Sequence, residues 1–415
     1  MEIKITPDQT LFEITETYPE TIEVFASNGF SKMSDPEQRK ILGKNITLKT
    51  AMTIKSWDLD DYMTLLKHQI TETREGSDIT LTGQSGTTGD ATNEKTEKLS
   101  VMGLLPCPVR IPLLEAFSDF SKTRPDLSIN YELKAASMGL GWLEEKINNH
   151  PDPEALPDVF LSAGFDLFFD PKLMGRYRDE GVFADFSSLK VYNSDFKEQN
   201  LMDPQGMFSL IALVPAVFLV NTKALGDIPV PKTWEDLLDP IFENRVSLPV
   251  GDFDLFNAIL LTLTQKYGRE GVRKLGRSFQ KSLHPSEMVK SHRKAEPPWI
   301  TIMPYFFTRT IREGGTMQAV WPEDGAIISP IFMLTKKEKQ EALQPIVDFF
   351  TSRKTGEILS HKGLFPSVHP EVVNELPENA PFQWPGWDFI MNNDIASKIE
   401  EAMKDFDKGS EGRMG

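Results

Sequence analysis

Cysteine occurs once in 415 residues, at Cys107, which excludes an internal disulfide and leaves no second thiolate for a clustered zinc or iron–sulfur site. Long apolar runs are also missing. The longest, FSLIALVPAVFLV (208–220), is broken by Pro215 and falls short of the roughly 20 residues that a bilayer span needs, so no membrane span is expected. Positive charge is in deficit. A formal charge of −16 repels phosphate backbones, so nucleic acid is not an expected partner. The opening MEIKITPDQT carries neither a basic segment nor an apolar one, so the expected location is cytoplasmic, or exported if a signal has been removed. The six histidines form no HExxH, and neither GxSxG nor GxxxxGK[ST] occurs. No catalytic residue, metal or cofactor is therefore assigned, and the chain is not expected to be an enzyme.

What is present divides the chain. Residues 71–97, TETREGSDITLTGQSGTTGDATNEKTE, hold too few apolar side chains to bury themselves and read as a flexible linker. Residues 1–70 show short helical patterns in TLFEITETYP, in ETIEVFASNG with Gly29 as its stop, and in LDDYMTLLKHQI, which predicts a small all-α domain. After the linker, KLSVMGLLP (98–106) reads as a strand, PLLEAFSDFSKT (112–123) as a helix and LSINYELK (127–134) as a strand. That βαβ opening predicts a parallel α/β sheet, with further strands at 158–163, 209–220, 245–249, 299–304, 317–322 and 326–334.

Two resemblances follow. ITPDQTLFEITETYPETIEVFASNGF and ITLKTAMTIKSWDLDDYMTLL resemble the small helical domain at the N-terminus of the di-iron proteins of iron–sulfur-cluster repair. Cysteines that many members carry after the turn are replaced here by the run Gly29, Phe30, Ser31, Lys32 and Met33, so a docking module for a protein partner is expected of residues 1–70. From 98 to about 376 the chain resembles the type 2 solute-binding proteins of ABC importers, in the branch that handles ferric iron, sugar phosphates and polyamines. LPDVFLSAGFDLF, ALVPAVFLVNTKAL, VPKTWEDLLDP, WPEDGAIISPIFMLTKK and LFPSVHPEV carry that likeness. The resemblance implies two α/β lobes joined by crossover hinge strands, with a small-molecule ligand between them and an ABC permease as a further partner. Lobe one is expected at 98–212 and 330–415, the hinge at 213–220 and 326–329, and lobe two at 221–325.

In open α/β sheets ligands bind beyond the carboxyl ends of the strands, where loops lead into helices. That rule places Cys107, Pro108 and Arg110 at the cleft, with Ser137, Met138, Ser162, Ala163 and Gly164 from lobe one. Lobe two offers Asp252, Tyr305, Glu323 and Asp324. Backbone N–H groups at helix starts, together with Arg110, Lys134 and Arg309, point to a small polar, anionic ligand. Three alternatives stay open. Tyr305 followed by Phe306 and Phe307 offers one phenol where ferric-binding members place a tyrosine pair; Glu323 and Asp324 suit a polyamine; and Cys107, at a helix start beside Arg110, suits a nucleophile.

Overall fold

The computed structural model describes residues 3–27, 30–33, 35–55, 59, 62–63, 66–67, 70, 81–85, 98–105, 107–135, 147, 152–178, 180–250, 253–283, 288, 291–293, 296–311 and 314–411. The chain divides into two compact units, Met1–Thr80 with Gly415, and Leu81–Met414.

The first unit is helical, with α1 (Leu11–Thr17), α2 (Ile22–Ser27), α3 (Pro36–Leu42) and α4 (Leu48–Lys55). Thr10 caps α1 by accepting from the Glu13 amide at 3.1 Å, while the Glu13 carboxylate accepts from the Thr10 amide at 2.8 Å. This reciprocal box satisfies two amides that the first turn would otherwise leave open. Leu11, Ile14, Phe25, Leu48, Met52, Tyr62, Leu66 and Ile70 share one core. The Gly29 stop lies outside the described residues.

The second unit is built on eleven described strands: β1 (Leu81–Ser85), β2 (Lys98–Leu105), β3 (Ser128–Ala135), β4 (Val159–Ala163), β5 (Ser209–Asn221), β6 (Val246–Leu248), β7 (Phe279–Ser282), β8 (Ile300–Pro304), β9 (Met317–Val320), β10 (Ala326–Thr335) and β11 (Phe382–Gln383). The helices used below are α5 (Cys107–Thr123), α6 (Phe253–Ser278, broken at Gly268 with φ 64°), α7 (Gln340–Phe350), α8 (Trp387–Asn392) and α9 (Ile395–Ser410). Hydrogen bonds link the strands in the order β1-β3-β2-β4-β10-β5-β8-β6-β7, with β9 on β5 and β11 on β10. One core, containing Val109, Phe117, Leu161 and Phe350, packs α5 and α7 on the sheet; a larger one runs from Phe160 and Phe332 through Trp234 and Phe256 to Phe406.

The strands of the two halves run as one continuous series. The reason is that β5 and β10 serve both halves. Ile331–Thr335 of β10 pairs with β4, and Ala216–Val220 of β5 pairs with β8, while the two strands pair with each other between. The architecture is the two-lobed α/β one with crossover strands, preceded by a small helical domain.

Three local expectations change. Residues 81–85, inside the expected linker, pair antiparallel with β3 and extend the sheet edge. The helix predicted from Pro112 begins at Cys107, with Pro108 in its first turn, where a missing N–H costs least, and Pro112 inside it. The C-terminal stretch expected in lobe one turns to the other half. Phe382 pairs with Ala326, and Asp405 of α9 accepts from Arg269 and Arg273 of α6.

Candidate functional site

The strand directions locate a gap. β2, β3 and β4 are parallel, and β4 ends at Ala163, opposite Ile331. β6 and β8 are parallel, and β8 ends at Pro304, opposite Ala216, which itself pairs with Ile327. Carboxyl ends from the two halves therefore point at each other across the rows Leu213–Pro330, Val214–Ser329 and Pro215–Ile328. From Ile327 to Ile331 the span is roughly 13 Å at about 3.3 Å per strand residue. This is a topological switch point of the kind at which α/β sheets bind ligands.

Burial marks the same rows. Val214 is the one residue of β5 that is not buried. Its partner Ser329 is fully buried, and its Oγ has no hydrogen-bond partner among the described residues. Neither was singled out from the sequence. A signal for Ser329 existed, since it is the one polar residue in AIISPIFML, immediately before a proline.

On the lobe-one side, Cys107, Pro108 and Arg110 form the first turn of α5, two residues beyond the end of β2. Their side chains lie outside the described residues, as do Ser137, Met138 and Asp252 entirely. Ser162 is fully buried and its hydroxyl donates to the Ala163 carbonyl at 3.1 Å, so it faces the protein rather than a ligand. This corrects its assignment to the cleft: every residue of β4 is buried, and the Ser162 hydroxyl is spent on the backbone of its own strand. Ala163 is nearly buried at the strand end. Gly164 has φ 97°, and a Cβ there would stand 2.3 Å from Asp254 Oδ1. Asp254 belongs to the first turn of α6, so the loop after β4 abuts a helix start of the other half. The sequence reading reached Asp252 and missed Asp254, which lies two residues further.

On the lobe-two side, Tyr305 opens a 3-10 turn, Tyr305–Thr310, that continues β8. Its hydroxyl donates to the Glu375 carbonyl at 3.2 Å and its ring packs edge-on against Trp321, with centroids 5.1 Å apart. Burial, and then the Glu375 charge, push the phenol above its ordinary range, so it is a neutral donor. Phe306 stacks on Phe365, centroids 6.2 Å apart, and Phe365 adjoins Val109 through Gly363. The Tyr305 turn is thus brought beside the start of α5, as the cleft requires.

Glu323 and Asp324 are not brought into the gap. Glu323 pairs with Lys232 at 2.8 Å on the surface. Asp324 accepts from the Trp234 amide at 3.1 Å and from Lys266 at 2.9 Å, fastening the turn between β9 and β10 to α6. Lys232, Lys266 and the Trp234 amide engage the charges that a polyamine would need. Arg309 is likewise committed, to Glu375 at 2.9 Å and to the His361 carbonyl at 2.6 Å. The free anion-binding role expected of it is withdrawn.

Known proteins bear on this geometry. A family model described as bacterial extracellular solute-binding protein matches residues 154–393, and one described as a domain of unknown function matches residues 5–63. No curated protein matches the chain. Among solved structures, the periplasmic binding protein P5PA is similar at 18% identity and a TM-score of 0.53, over 74% of this chain and 99% of its own. The ferric binding protein from Campylobacter jejuni shares 15% identity at a TM-score of 0.53, over 75% and 99%. The apo ferric ion-binding protein A from Pasteurella haemolytica shares 14% at 0.55, over 75% and 97%. At such identities the structures establish the fold. The cytoplasmic location expected from the first ten residues is corrected: the matching family is described as extracellular, and composition of a leading segment is weaker ground than a match over 154–393.

Proposed function

The chain belongs to the bacterial extracellular solute-binding proteins, whose members bind a small solute, and from that premise we propose that it closes two lobes over a small polar, anionic solute held above the Val214–Ser329 row. The observation that carries this is the convergence of the β4 and β8 carboxyl ends on either side of that row. Closure follows from the shared strands: β5 and β10 cross between halves, so a small change in their dihedrals swings one set of loops toward the other. The solute's negative group would meet the backbone N–H groups at the start of α5 and Arg110, with Cys107 and Tyr305 on facing walls. Delivery to an ABC permease is the use such capture serves. The helical unit, matched to a domain of unknown function, would supply a docking surface for a protein partner.

A second reading has one specific support. The Asp254 carboxylate at Gly164 places negative charge beside the gap, which favours a solute bearing an ammonium group. Native mass spectrometry of gently purified protein, with thermal-shift screening against organic anions, polyamines and ferric ion, separates the two. A solute that binds only the folded state raises the melting temperature, by about 2.7 kcal/mol of stabilisation at a hundred times its dissociation constant. Anions that raise it support the first reading and polyamines the second, and a flat response with no retained mass refutes capture.

A further inference from the structure

The turn Tyr305–Thr310 does more than line the gap. It is rigidly part of the half that carries β8: Pro304 pairs with Ala216, the Tyr305 ring rests on Trp321, and the Thr308 hydroxyl donates to the Tyr305 carbonyl at 2.7 Å. The segment it touches belongs to the other half. Residues 358–362 form a wide helical turn packed under α5, and Ser367 bridges to Ala212 of β5. Asn374 accepts from the Ser367 amide at 2.8 Å and donates to Asp195 at 2.9 Å, which fixes its neighbour Glu375.

Between these two bodies Arg309 makes three hydrogen bonds. Its guanidinium donates to the His361 carbonyl at 2.6 Å, the Lys362 carbonyl at 3.3 Å and the Glu375 carboxylate at 2.9 Å. Tyr305 adds a fourth bond, to the Glu375 carbonyl at 3.2 Å, and Phe306 on Phe365 adds an apolar contact. The carbonyls of His361 and Lys362 end a helical turn, where cations are favoured. One planar fork spans two carbonyls and a carboxylate, a task an ammonium group cannot reproduce.

We propose that Arg309, Tyr305 and Phe306 form a latch between the lobes, with His361, Lys362 and Glu375 as its keeper, which stabilises the closed arrangement through protein contacts alone. The inference rests on the two-lobed capture reading and deepens it. Arg309 is then a positioning residue. It sets what fraction of the protein is closed, and apparent solute affinity scales with that fraction.

The experiment measures interlobe distance. In the full chain carrying Cys107→Ser, Asp119→Cys on α5 and Lys223→Cys in the short helix Thr222–Leu225 accept a pair of dyes or spin labels, both sites being exposed. With nothing added, Arg309→Ala is expected to enlarge the long-distance population about threefold or more, Arg309→Lys to follow it, and Glu375→Gln to retain most of the closed population. A distribution unchanged in folded Arg309→Ala overturns the latch, and so does a fall in melting temperature with no change in distance. Should Arg309→Ala fail to fold, unchanged distances in Arg309→Lys overturn it equally. Since no solute is involved, a failed latch leaves capture standing, and failed capture in the mass spectrum leaves the distances readable.

Discussion

Gly164 is the residue where backbone conformation and function meet. Its φ of 97° is one that side chains rarely adopt, and the space a Cβ would need is taken by the Asp254 carboxylate. Gly164→Ala is therefore expected to lose about 1–3 kcal/mol of stability by denaturant titration and to weaken solute binding by forcing the β4 loop away from α6. Other residues separate what sequence could and could not tell. Asp324 before Gly325 was legible as a turn residue, whereas its bonds to the Trp234 amide and Lys266 join it to residues 90 and 58 positions away and were not legible. Ser162 was misplaced because its place at the end of a strand does not show that both faces of β4 are covered. Ser329 was passed over, since a lone hydroxyl in an apolar run acquires meaning only when its partner row proves to be the middle of the gap.

At the scale of elements, α6 and α9 show how two helices far apart in sequence are joined. Gly409 lets the Arg273 carbonyl approach to where its Cβ would stand, at 2.0 Å, and Gly276 does the same for the Phe406 carbonyl at 2.2 Å. Asp405 is buried between them, accepting from Arg269 at 2.6 Å and Arg273 at 2.9 Å. The Arg269 hydrogen bond, opposed by burial and aided by Arg273, holds its carboxyl below the usual range. A carboxyl depressed in the folded state stabilises fully above its unfolded value of about 3.9 and loses that contribution as pH falls through the folded value. Asp405→Asn should accordingly melt well below the parent at pH 7, with the difference shrinking below about pH 4; a gap constant with pH removes the ion pair as its cause. The sequence alone could not show which lobe α9 serves, because its contacts to α6, through Phe406 on Phe256 and through Asp405, join groups more than 130 residues apart.

For the whole molecule, the helical unit has a core of its own. Among the described residues its buried side chains run from Ile5 to Ile70 and pack among themselves, while the buried ones of the second unit begin at Leu99. Deleting residues 1–80 is expected to leave the main melting transition and solute binding unchanged, as calorimetry and native mass spectrometry would read; a joint loss of both would mean that the two units fold as one. By itself the sequence determined the α/β class and the helical start, since these rest on local periodicity and turn residues at the ends of elements, whereas the crossover strands were implied by the resemblance to solute-binding proteins. Tertiary structure alone decided that β5 and β10 each serve both halves, that α9 crosses to α6, and that the Arg309 guanidinium is bonded to His361, Lys362 and Glu375. Such pairings depend on which distant groups are brought within hydrogen-bond reach, and no local pattern encodes that distance.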